Sequence, residues 1–245
     1  MIQKKVFDLF ISITALIILC PVLLIFMVIV FLQDGFSPIY KAPRVGKDGK
    51  IFTMIKLRSM VKNADKNKVD STSSDDLRIT AVGKVIRKYK LDELMQLWNV
   101  LLGDMSLVGP RPNVERDVRI YSEEERKILS VKPGITDFSS IVFSDEGDIL
   151  KGSIDPDLKY NQLIRPWKSR LCLLYIEKRN FTLDVKLIIY TAIAIVSRTI
   201  ALKLINSELK HISADQKLIE VCRRETELSP FPPPGFDEVI QTREI

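Results

Sequence analysis

Two adjacent acids at the start of a short amphipathic helix are the residues best suited to chemistry in this chain. Asp92 and Glu93 lie in the stretch LDELMQLWNVLLGDMSLVGPRP, residues 91–112. Neighbouring helical positions point about 100° apart, so the two carboxylates cannot share one proton and separate roles are expected. A first helical turn favours an ionised carboxylate, which can bind Mg²⁺ or attack phosphorus. From spacing alone an alternative stays open, since acids there often only complement the helix dipole.

Basic side chains near these acids suit a phosphorylated ligand. Arg111 stands between two prolines, whose fixed φ angles stiffen the backbone and present the guanidinium with little entropy to lose. A planar guanidinium can bind a pair of diphosphate oxygens. Further candidates for the same phosphate-binding pocket are Lys56, Arg58 and Arg87. On spacing alone, a solvated surface charge is the more common explanation for each of these residues.

An uncharged apolar run over residues 9–32 is longer than the about 20 residues that a membrane span needs. Pro21 divides it into halves that are each too short, as helices, for the roughly 30 Å hydrocarbon core. Two interpretations stay open: a proline-kinked transmembrane helix, or a re-entrant hairpin that bends at Cys20-Pro21 and returns to the same side. Lysine and arginine flank both ends, so the rest of the chain is expected to face the cytoplasm.

The composition limits the remaining function classes. A net charge of +6, from 37 basic and 31 acidic residues among 245, suits an anionic membrane, a phosphorylated substrate or a nucleic acid. No motif that reads nucleic acid is recognisable, so that partner is not expected. The single histidine, His211, excludes histidine-based metal sites and Ser-His triads. Three widely spaced cysteines give no disulfide or zinc pattern and indicate a reducing compartment.

The elements that must position these residues follow from local patterns. Residues 37–44 and 51–60 are predicted strands joined by GKDGK, in which Asp48-Gly49 is a hairpin turn signal. The apolar spacing predicts a helix over 92–102 that stops at Gly103, after another over 80–90. Residues 123–130 are a predicted short helix, and 138–143 read as a strand.

Two apolar stretches, 167–179 and 183–205, are a second membrane-facing candidate. Lys186, Arg198 and Lys203 interrupt the second stretch, which indicates an amphipathic helix in the membrane interface rather than a span. A buried core helix with snorkelling lysines explains the same pattern and stays open. The polar C-terminus contains FPPPGF, which is typical of an extended segment.

Several short stretches occur in a recognisable order along the chain. They are Cys20-Pro21, RVGKDGK from Arg44, KLRSM from Lys56, LDEL from Leu91, GDMSLVGPRP from Gly103, KPGIT from Lys132 and LDVKL from Leu183. In this order they resemble the bacterial sugar transferases known as monotopic phosphoglycosyl transferases, over roughly residues 4–200. The resemblance implies transfer of a sugar 1-phosphate from a nucleotide diphosphate sugar, usually a UDP-sugar, to undecaprenyl phosphate. It also implies release of UMP and a requirement for Mg²⁺.

The resemblance assigns roles to individual residues. It implies that Asp92 is the nucleophile, forming a covalent phosphosugar-aspartyl intermediate, and also a metal ligand. Glu93 is expected to assist the metal site or proton handling. Lys56, Arg87 and Arg111 correspond to phosphate-handling residues. The N-terminal segment is expected to be re-entrant, with its membrane break at Cys20-Pro21.

The chain departs from the family pattern at several positions. Cys20 replaces a common serine, and Tyr89-Lys90 before Leu91 lacks the usual Ser or Thr that could cap the helix. The residues after KPGIT differ, which leaves the sugar open. Cys172 replaces an acid that many members carry three residues before a tyrosine, here Tyr175. Three acids that could substitute for it are Asp145, Glu146 and Asp148.

The expected fold is therefore α+β and membrane-associated. Residues 1–34 are predicted to form a re-entrant membrane helix hairpin. Residues 35–206 should form a cytoplasmic catalytic domain with a small β-hairpin, a helical catalytic core and amphipathic interfacial helices, and 207–245 a C-terminal extension. The expected partners are a UDP-sugar, undecaprenyl phosphate and lipids of the bacterial inner membrane, with a homodimer left open. The alternative is a non-catalytic membrane scaffold, against which the intact acids and arginines argue.

Overall fold

The first element of the computed structural model, which describes residues 2–64, 69 and 71–242, is one long apolar helix. This helix, α1 (Ile2–Asp34), has 33 residues and is about 50 Å long. It continues through Pro21, so the predicted division into two helices at Cys20-Pro21 is not shown. A proline removes one hydrogen bond and crowds the preceding turn, which kinks a helix without having to end it. By length and composition alone, α1 could cross a membrane.

Both ends of α1 pack on the rest of the molecule. Near its start, Phe7 and Ile11 contact the main hydrophobic core. Near its end, Val30 is buried together with Leu57 and Ile86 in a smaller cluster. Most of the large apolar side chains between these two contacts are exposed. The helix therefore contacts the rest of the molecule near both ends and also at the buried Leu23, while most of its other large apolar side chains form an exposed apolar surface.

The predicted hairpin is confirmed. Strands β1 (Ile39–Val45) and β2 (Ile51–Leu57) pair antiparallel, with Tyr40 opposite Lys56. A 3-10 turn, Lys47–Gly49, joins them, with φ of 56° at Asp48 and 76° at Gly49. Asp and Gly accept this left-handed conformation better than most residues do, which is why the turn could be recognised from sequence.

Three short helices follow the hairpin: α2 (Ala81–Lys88), α3 (Leu91–Leu94) and α4 (Gln96–Leu102). The hydroxyl of Thr80 caps α2 by accepting a hydrogen bond from Gly83 N. The predicted helix over 92–102 is thus interrupted at Met95, and it ends at Gly103 as expected, with φ of 85°. The interruption separates the acidic turn α3 from the packed helix α4.

A second sheet has two short parallel strands, β3 (Ser106–Val108) and β4 (Gly134–Thr136). The two chains approach closely at Gly109 and Gly134, because a Cβ on Gly134 would lie 2.1 Å from Gly109 N. Only glycine fits there. The KPGIT stretch is therefore a strand that fixes the segment leading to Arg111.

The helices after β3 are short: α5 (Glu115–Arg119), α6 (Glu123–Arg126), α7 (Phe138–Val142), α8 (Glu146–Leu150) and α9 (Pro156–Leu163). The prediction of a strand over 138–143 is wrong, because Phe138–Val142 form the helix α7. Asp137 caps that helix by accepting a hydrogen bond from Ser140 N. A short apolar run does not distinguish strand from buried helix, and here the cap decides.

The largest helices build the core: α10 (Arg165–Lys178), α11 (Phe181–Val196), α12 (Arg198–His211) and α13 (Gln216–Arg223). Trp167, Leu171 and Tyr175 of α10 are buried, so stretch 167–179 is a core helix and not membrane-facing. The stretch 183–205 spans two helices that meet at Ser197. Their junction carries exposed apolar residues, including Val196 and Ile200.

The C-terminal residues pack against this core. The boundary expected between residues 206 and 207 falls inside α12, and Leu209 is fully buried. Beyond α13 the chain is extended, and the Phe231 ring stacks on Trp167 with centroids 4.7 Å apart. Phe231 N also donates a hydrogen bond to Gln162 O. Residues 243–245 of the predicted extension lie outside the described residues.

Candidate active site

Asp92 and Glu93 occupy α3, the four-residue turn between α2 and α4. Lys90 precedes this turn in a left-handed conformation, with φ of 57°, and no side chain caps the helix. Glu93 N donates instead to Lys90 O. The missing Ser or Thr cap is thus replaced by a backbone turn. Asp92 is only 8% exposed, which places its carboxylate inside the molecule rather than on a solvated helix end.

Lys56 of β2 faces Asp92. The Lys56 Nζ and Asp92 Oδ2 atoms are 3.6 Å apart, which is beyond a normal hydrogen bond but close enough for a strong charge interaction. Burial and the neighbouring charge of Arg111 lower the pKa of Lys56 to about 8, while Asp92 and Glu93 act in the opposite direction. The lysine is therefore held beside the acid pair with its charge sensitive to mildly alkaline pH.

Arg111 binds Glu93. Arg111 NH2 lies 2.7 Å from Glu93 Oε1. Burial favours a raised pKa for Glu93, but the charge of Arg111, followed by those of Lys90 and Lys56, outweighs it and lowers that pKa. Glu93 in turn raises the pKa of Arg111. The pair is thus fixed in the ionised form, and Glu93 orients the guanidinium.

Arg87, near the end of α2, completes the cationic group. Burial lowers the pKa of Arg87, and the charges of Asp92 and Asp76 oppose that shift. The positive charge of Arg111 lies near enough to act on it as well. Of the predicted phosphate-binding residues, the structure therefore brings Lys56, Arg87 and Arg111 together around the two acids.

Arg58, the fourth predicted phosphate-binding residue, is used elsewhere. Its guanidinium binds both carboxylate oxygens of Asp34 at 2.6 Å. Its remaining donors go to backbone carbonyls, those of Ser37, Phe36, Val30 and Met60. A guanidinium has five N–H donors, and here all of its nitrogens are engaged by the protein. Arg58 therefore fastens the end of α1 and has no donor to offer a substrate.

A third carboxylate belongs to the charged site. Glu146, at the start of α8, binds Lys168. Burial favours a raised pKa for Glu146, but the charges of Lys168 and Arg111 outweigh it and lower that pKa. Its charge also acts on Arg87. Of the three acids that the sequence offered, the structure therefore places Glu146 here.

Of the other two acids, Asp148 is exposed, and Asp145 is paired with arginines of other helices. Asp145 binds Arg198 at 2.9 Å and Arg224 at 3.1 Å, so it joins helices of the core. The Cys172 thiol donates to the fully buried Asp137 at 3.3 Å. Burial, followed by the charge of Asp137, raises the pKa of Cys172 well above its usual range. This thiol therefore packs against a cap and is not a reactive group.

Lys168 and Tyr160 are site neighbours that sequence reasoning missed. Lys168 binds Glu146, and burial together with the charge of Glu146 raises the pKa of Tyr160 well above its usual range. Both residues lie far along the chain from Asp92, on α9 and α10, and no local pattern marks them. Only the tertiary fold brings them to the site.

Cys20 and Pro21 lie in the middle of α1, far along the chain from these charges. Cys20 is exposed and is a free thiol. Neither residue is at a break in the helical assignment. The membrane break expected at Cys20-Pro21 is therefore not shown.

A divalent cation fits the acid pair only with help from a substrate. Within residues 2–64, 69 and 71–242 there is no group of three or more His, Cys, Asp or Glu side chains that could hold a metal. Glu93 is committed to Arg111, whereas Asp92 has its lysine partner at 3.6 Å. Mg²⁺ is commonly bound by one or two carboxylates plus phosphate oxygens and water. Asp92 therefore suits a site of this shared kind.

This arrangement can perform phosphoryl chemistry. It provides one carboxylate without a tight partner, three cations for phosphate oxygens and two ionised glutamates that hold the cations in place. The surrounding burial strengthens each of these charge interactions.

The sequence matches one family model, described as "Bacterial sugar transferase", over residues 1–198. The uncharacterized sugar transferase EpsL of Bacillus subtilis is 35% identical over 191 residues, which cover 78% of this chain and 86% of that protein. The undecaprenyl-phosphate galactose phosphotransferase of Salmonella typhimurium is 43% identical over 148 residues, or 54% of this chain and 31% of that protein.

A third relative is the UDP-glucose:undecaprenyl-phosphate glucose-1-phosphate transferase of Klebsiella pneumoniae. It is 34% identical over 199 residues, which cover 78% of this chain and 39% of that protein. The chain therefore spans less than half the length of the Salmonella and Klebsiella relatives. The EpsL match, in contrast, covers most of both chains.

Proposed function

This chain belongs to the bacterial sugar transferase family, and we propose that it is a phosphoglycosyl transferase that moves a sugar 1-phosphate from a UDP-sugar to undecaprenyl phosphate. Two longer relatives are named for transfer to undecaprenyl phosphate, and one of them for a UDP-sugar donor. The proposed reaction is the first membrane step in building a surface glycan.

The observation that carries this proposal is the different pairing of the two adjacent acids. Arg111 holds Glu93 at 2.7 Å, whereas Lys56 stays 3.6 Å from Asp92. An acid with a tight ion pair is a poor nucleophile, because attack would have to break that pair. Asp92 keeps its negative charge near a cation and remains able to approach phosphorus.

The reaction takes place in two displacements. A carboxylate oxygen of Asp92 attacks the β-phosphorus, and the bond from that phosphorus to the oxygen bridging the two phosphates breaks. UMP leaves with the bond's electron pair, and the sugar phosphate stays bound to Asp92 as an acyl phosphate. A phosphate oxygen of undecaprenyl phosphate then attacks the same phosphorus. This second step frees the Asp92 carboxylate and yields undecaprenyl diphosphate sugar.

The cations of the site stabilise charge in both steps. Arg111 binds phosphate oxygens while Glu93 fixes the plane of its guanidinium. Lys56 is placed to neutralise charge at the phosphorus that Asp92 attacks. Arg87 adds a third positive charge. Glu146 keeps Lys168 and Arg111 in position by binding the first and attracting the second.

Mg²⁺ is proposed as the cofactor, held by Asp92 and by the phosphates of the donor. When bound, it supplies positive charge that makes phosphorus more electrophilic and the departing UMP more stable. The acidic and basic residues described above would act on the same phosphates from the positions that they have in the structure.

The contacts of α1 lead us to propose that the protein lies at the inner membrane. Its catalytic residues would then face the cytoplasm. Both of its ends contact the same domain, through Val30 near one end and Phe7 near the other. A helix that crossed the bilayer would place its ends on opposite sides, and one domain could not contact both. These contacts support the re-entrant arrangement, in which the Cys20-Pro21 region is the deepest point in the lipid.

A non-catalytic scaffold is the alternative. It has no need of an acid pair with two different partners, or of three partly buried cations around it. These charges are costly to bury, and a protein without ligands for them would gain stability by replacing them. Catalysis therefore explains the site better.

The test is UMP release by the full chain in detergent or nanodiscs, with Mg²⁺, undecaprenyl phosphate and a panel of UDP-sugars. Asp92→Asn is compared with wild type, and Asp48→Asn, an exposed change of the same kind, is the matched control. We expect release with at least one donor, retained in the control and lost in Asp92→Asn. If folded protein released no UMP with any donor, while a control enzyme was active in the same assay, the result would support the scaffold.

A further inference from the structure

Strand β3 holds the segment that carries Arg111. Val108, its last residue, is followed directly by Gly109, Pro110 and Arg111. On one side β4 fixes this segment: Gly109 N donates to Thr136 O at 3.0 Å, and Gly134 N donates to Pro110 O at 2.9 Å. The position of Arg111 on Glu93 therefore depends on where β3 lies.

The Val108 carbonyl is held from the other side by Lys4, which belongs to a polar cluster that joins three helices. Lys4 Nζ of α1 donates to Val108 O at 3.3 Å, and the Tyr175 hydroxyl of α10 lies 3.2 Å from the same oxygen. Asp184 in the first turn of α11 accepts hydrogen bonds from both groups: Lys4 contacts its Oδ2, and Tyr175 gives its single hydroxyl hydrogen to Oδ1 at 2.6 Å. Asp184 is 3% exposed.

The same face of α1 makes a second polar contact with β3. Asp8 follows Lys4 by one helical turn, and its carboxylate accepts a hydrogen bond from Ser106 Oγ at 2.6 Å. Asp8 and Ser106 are both buried. The N-terminal end of α1 thus contacts both ends of a three-residue strand, through one cation and one anion.

These contacts do more than attach a helix. Apolar packing by Phe7 and Ile11 already joins this part of α1 to the core. Buried charges add desolvation cost, but their hydrogen bonds have a defined geometry that apolar contacts lack. A short strand with polar contacts on both sides is fixed in position relative to the core. Arg111 follows the last residue of this strand, Val108, by three residues.

We propose that Lys4, Asp8, Tyr175 and Asp184 are positioning residues that set the place of Arg111 through β3. This inference rests on the phosphoglycosyl transferase function proposed above. On this view α1 is a structural part of the catalytic site as well as a membrane anchor. Displacement of its N-terminal end moves Arg111 away from the donor phosphates.

The first test is a double-mutant cycle on kcat/KM for the donor, in nanodiscs. Lys4→Met is made in the wild-type and in the Arg111→Ala background, and Lys5→Met, an exposed neighbour with the same charge change, is the control. We expect Lys4→Met to lower kcat/KM about tenfold or more in the wild type, the scale of a misplaced catalytic group. In the Arg111→Ala background it should have little further effect, because its target is gone.

Lys4→Arg should restore most of the activity, since it keeps a cation that can reach the carbonyl and Asp184. Tyr175→Phe, which removes one hydroxyl and keeps the ring, provides the same test if Lys4→Met does not fold. Equal losses from Lys4→Met in the two backgrounds, or a loss no larger than that of Lys5→Met, would overturn the inference.

Hydrogen exchange gives a readout that needs no turnover. We expect faster exchange in Lys4→Met for the peptide covering residues 106–112, whose Gly109 amide is bonded to Thr136 O. Lys5→Met should exchange as wild type does. Unchanged exchange in Lys4→Met would contradict the positioning role. An inactive wild type that still shows the exchange difference would count against the proposed function alone.

Discussion

The charge of Lys56 responds to mildly alkaline pH. Its folded pKa of about 8 is below the roughly 10.4 expected in an unfolded chain. Below pH 8 both states are protonated, and the cost of burying the charge is fully present. Between these two values the unfolded state binds more protons, so stability rises with pH. The protein therefore keeps a destabilising cation at neutral pH, which indicates that the cation is needed for function.

This charge predicts the alkaline limb of the pH profile. We expect kcat/KM for the donor to fall as pH rises through about 8, because Lys56 loses its proton in the free enzyme. Lys56→Arg should keep its charge and move that limb to higher pH, although its activity on the plateau will be lower. Initial rates of wild type and Lys56→Arg, measured between pH 6 and 10, test this prediction. An unchanged limb in Lys56→Arg assigns the titration to another group.

Single residues were predictable where a local motif marks them. Asp92, Glu93 and Arg111 lie in one stretch, and the structure brings them together. The pairing of Arg58 with Asp34 was not predictable, because Asp34 lies 24 residues earlier, at the end of a helix whose sequence indicates only a membrane segment. Lys168 has no local signal at all, because it reaches the site only through the packing of α10.

At the scale of elements, the β3–β4 pair decides where Arg111 lies. A Cβ on Gly134 would be 2.5 Å from Gly109 O, closer than two such atoms can approach. The strands would have to separate to accept it. Adding a single methyl group to this short sheet should therefore be enough to displace Arg111 in the active site.

Gly134→Ala tests this. We expect a loss of about 1–3 kcal/mol in the free energy of unfolding, typical of overpacking, with a fall in donor kcat/KM. Gly152→Ala is the control: its φ is 67° but nothing lies within 4 Å, so only backbone strain of about 1–2 kcal/mol applies. Thermal melting and initial rates measure both effects. Full activity in Gly134→Ala would show that β3 can shift without moving Arg111.

The elements also show which patterns carry reliable information. The GKDGK turn was predicted because positive φ at Asp48 and Gly49 is a local requirement. Residues 138–143 were misread because their apolar run suits strand and helix equally, and the Asp137 cap settled the outcome. The packing of Leu209 and Phe231 on the core was not predictable, since those contacts depend on the fold of the whole chain.

At the scale of the whole molecule, the exposed apolar side chains are unevenly distributed. Large exposed apolar side chains concentrate on α1 and on the junction of α11 and α12, where Ile195, Val196 and Ile200 are exposed. Contiguous surface of this kind is characteristic of contact with a membrane or another protein. If the acceptor is the lipid proposed above, this surface would bring the catalytic site to a substrate embedded in the bilayer.

Topology labelling tests the membrane arrangement. Gln3→Cys and Gln33→Cys, both at exposed positions of α1, are made in a Cys20→Ser background. We expect neither to react with an impermeant maleimide in intact spheroplasts and both to react after permeabilisation, because the proposed re-entrant arrangement keeps both ends in the cytoplasm. Labelling of Gln3→Cys in intact spheroplasts, with Gln33→Cys protected, is the signature of a span and contradicts the re-entrant arrangement.

The most direct test of the central claim is to look for the phosphosugar on Asp92. Wild type and Asp92→Asn are mixed with Mg²⁺ and an active UDP-sugar without acceptor, quenched within seconds and digested for mass spectrometry. The account predicts a peptide containing Asp92 that gains the mass of one sugar phosphate, lost when undecaprenyl phosphate is added and absent from Asp92→Asn. UMP that forms only after the acceptor is added, with no modified peptide at any time, would contradict it.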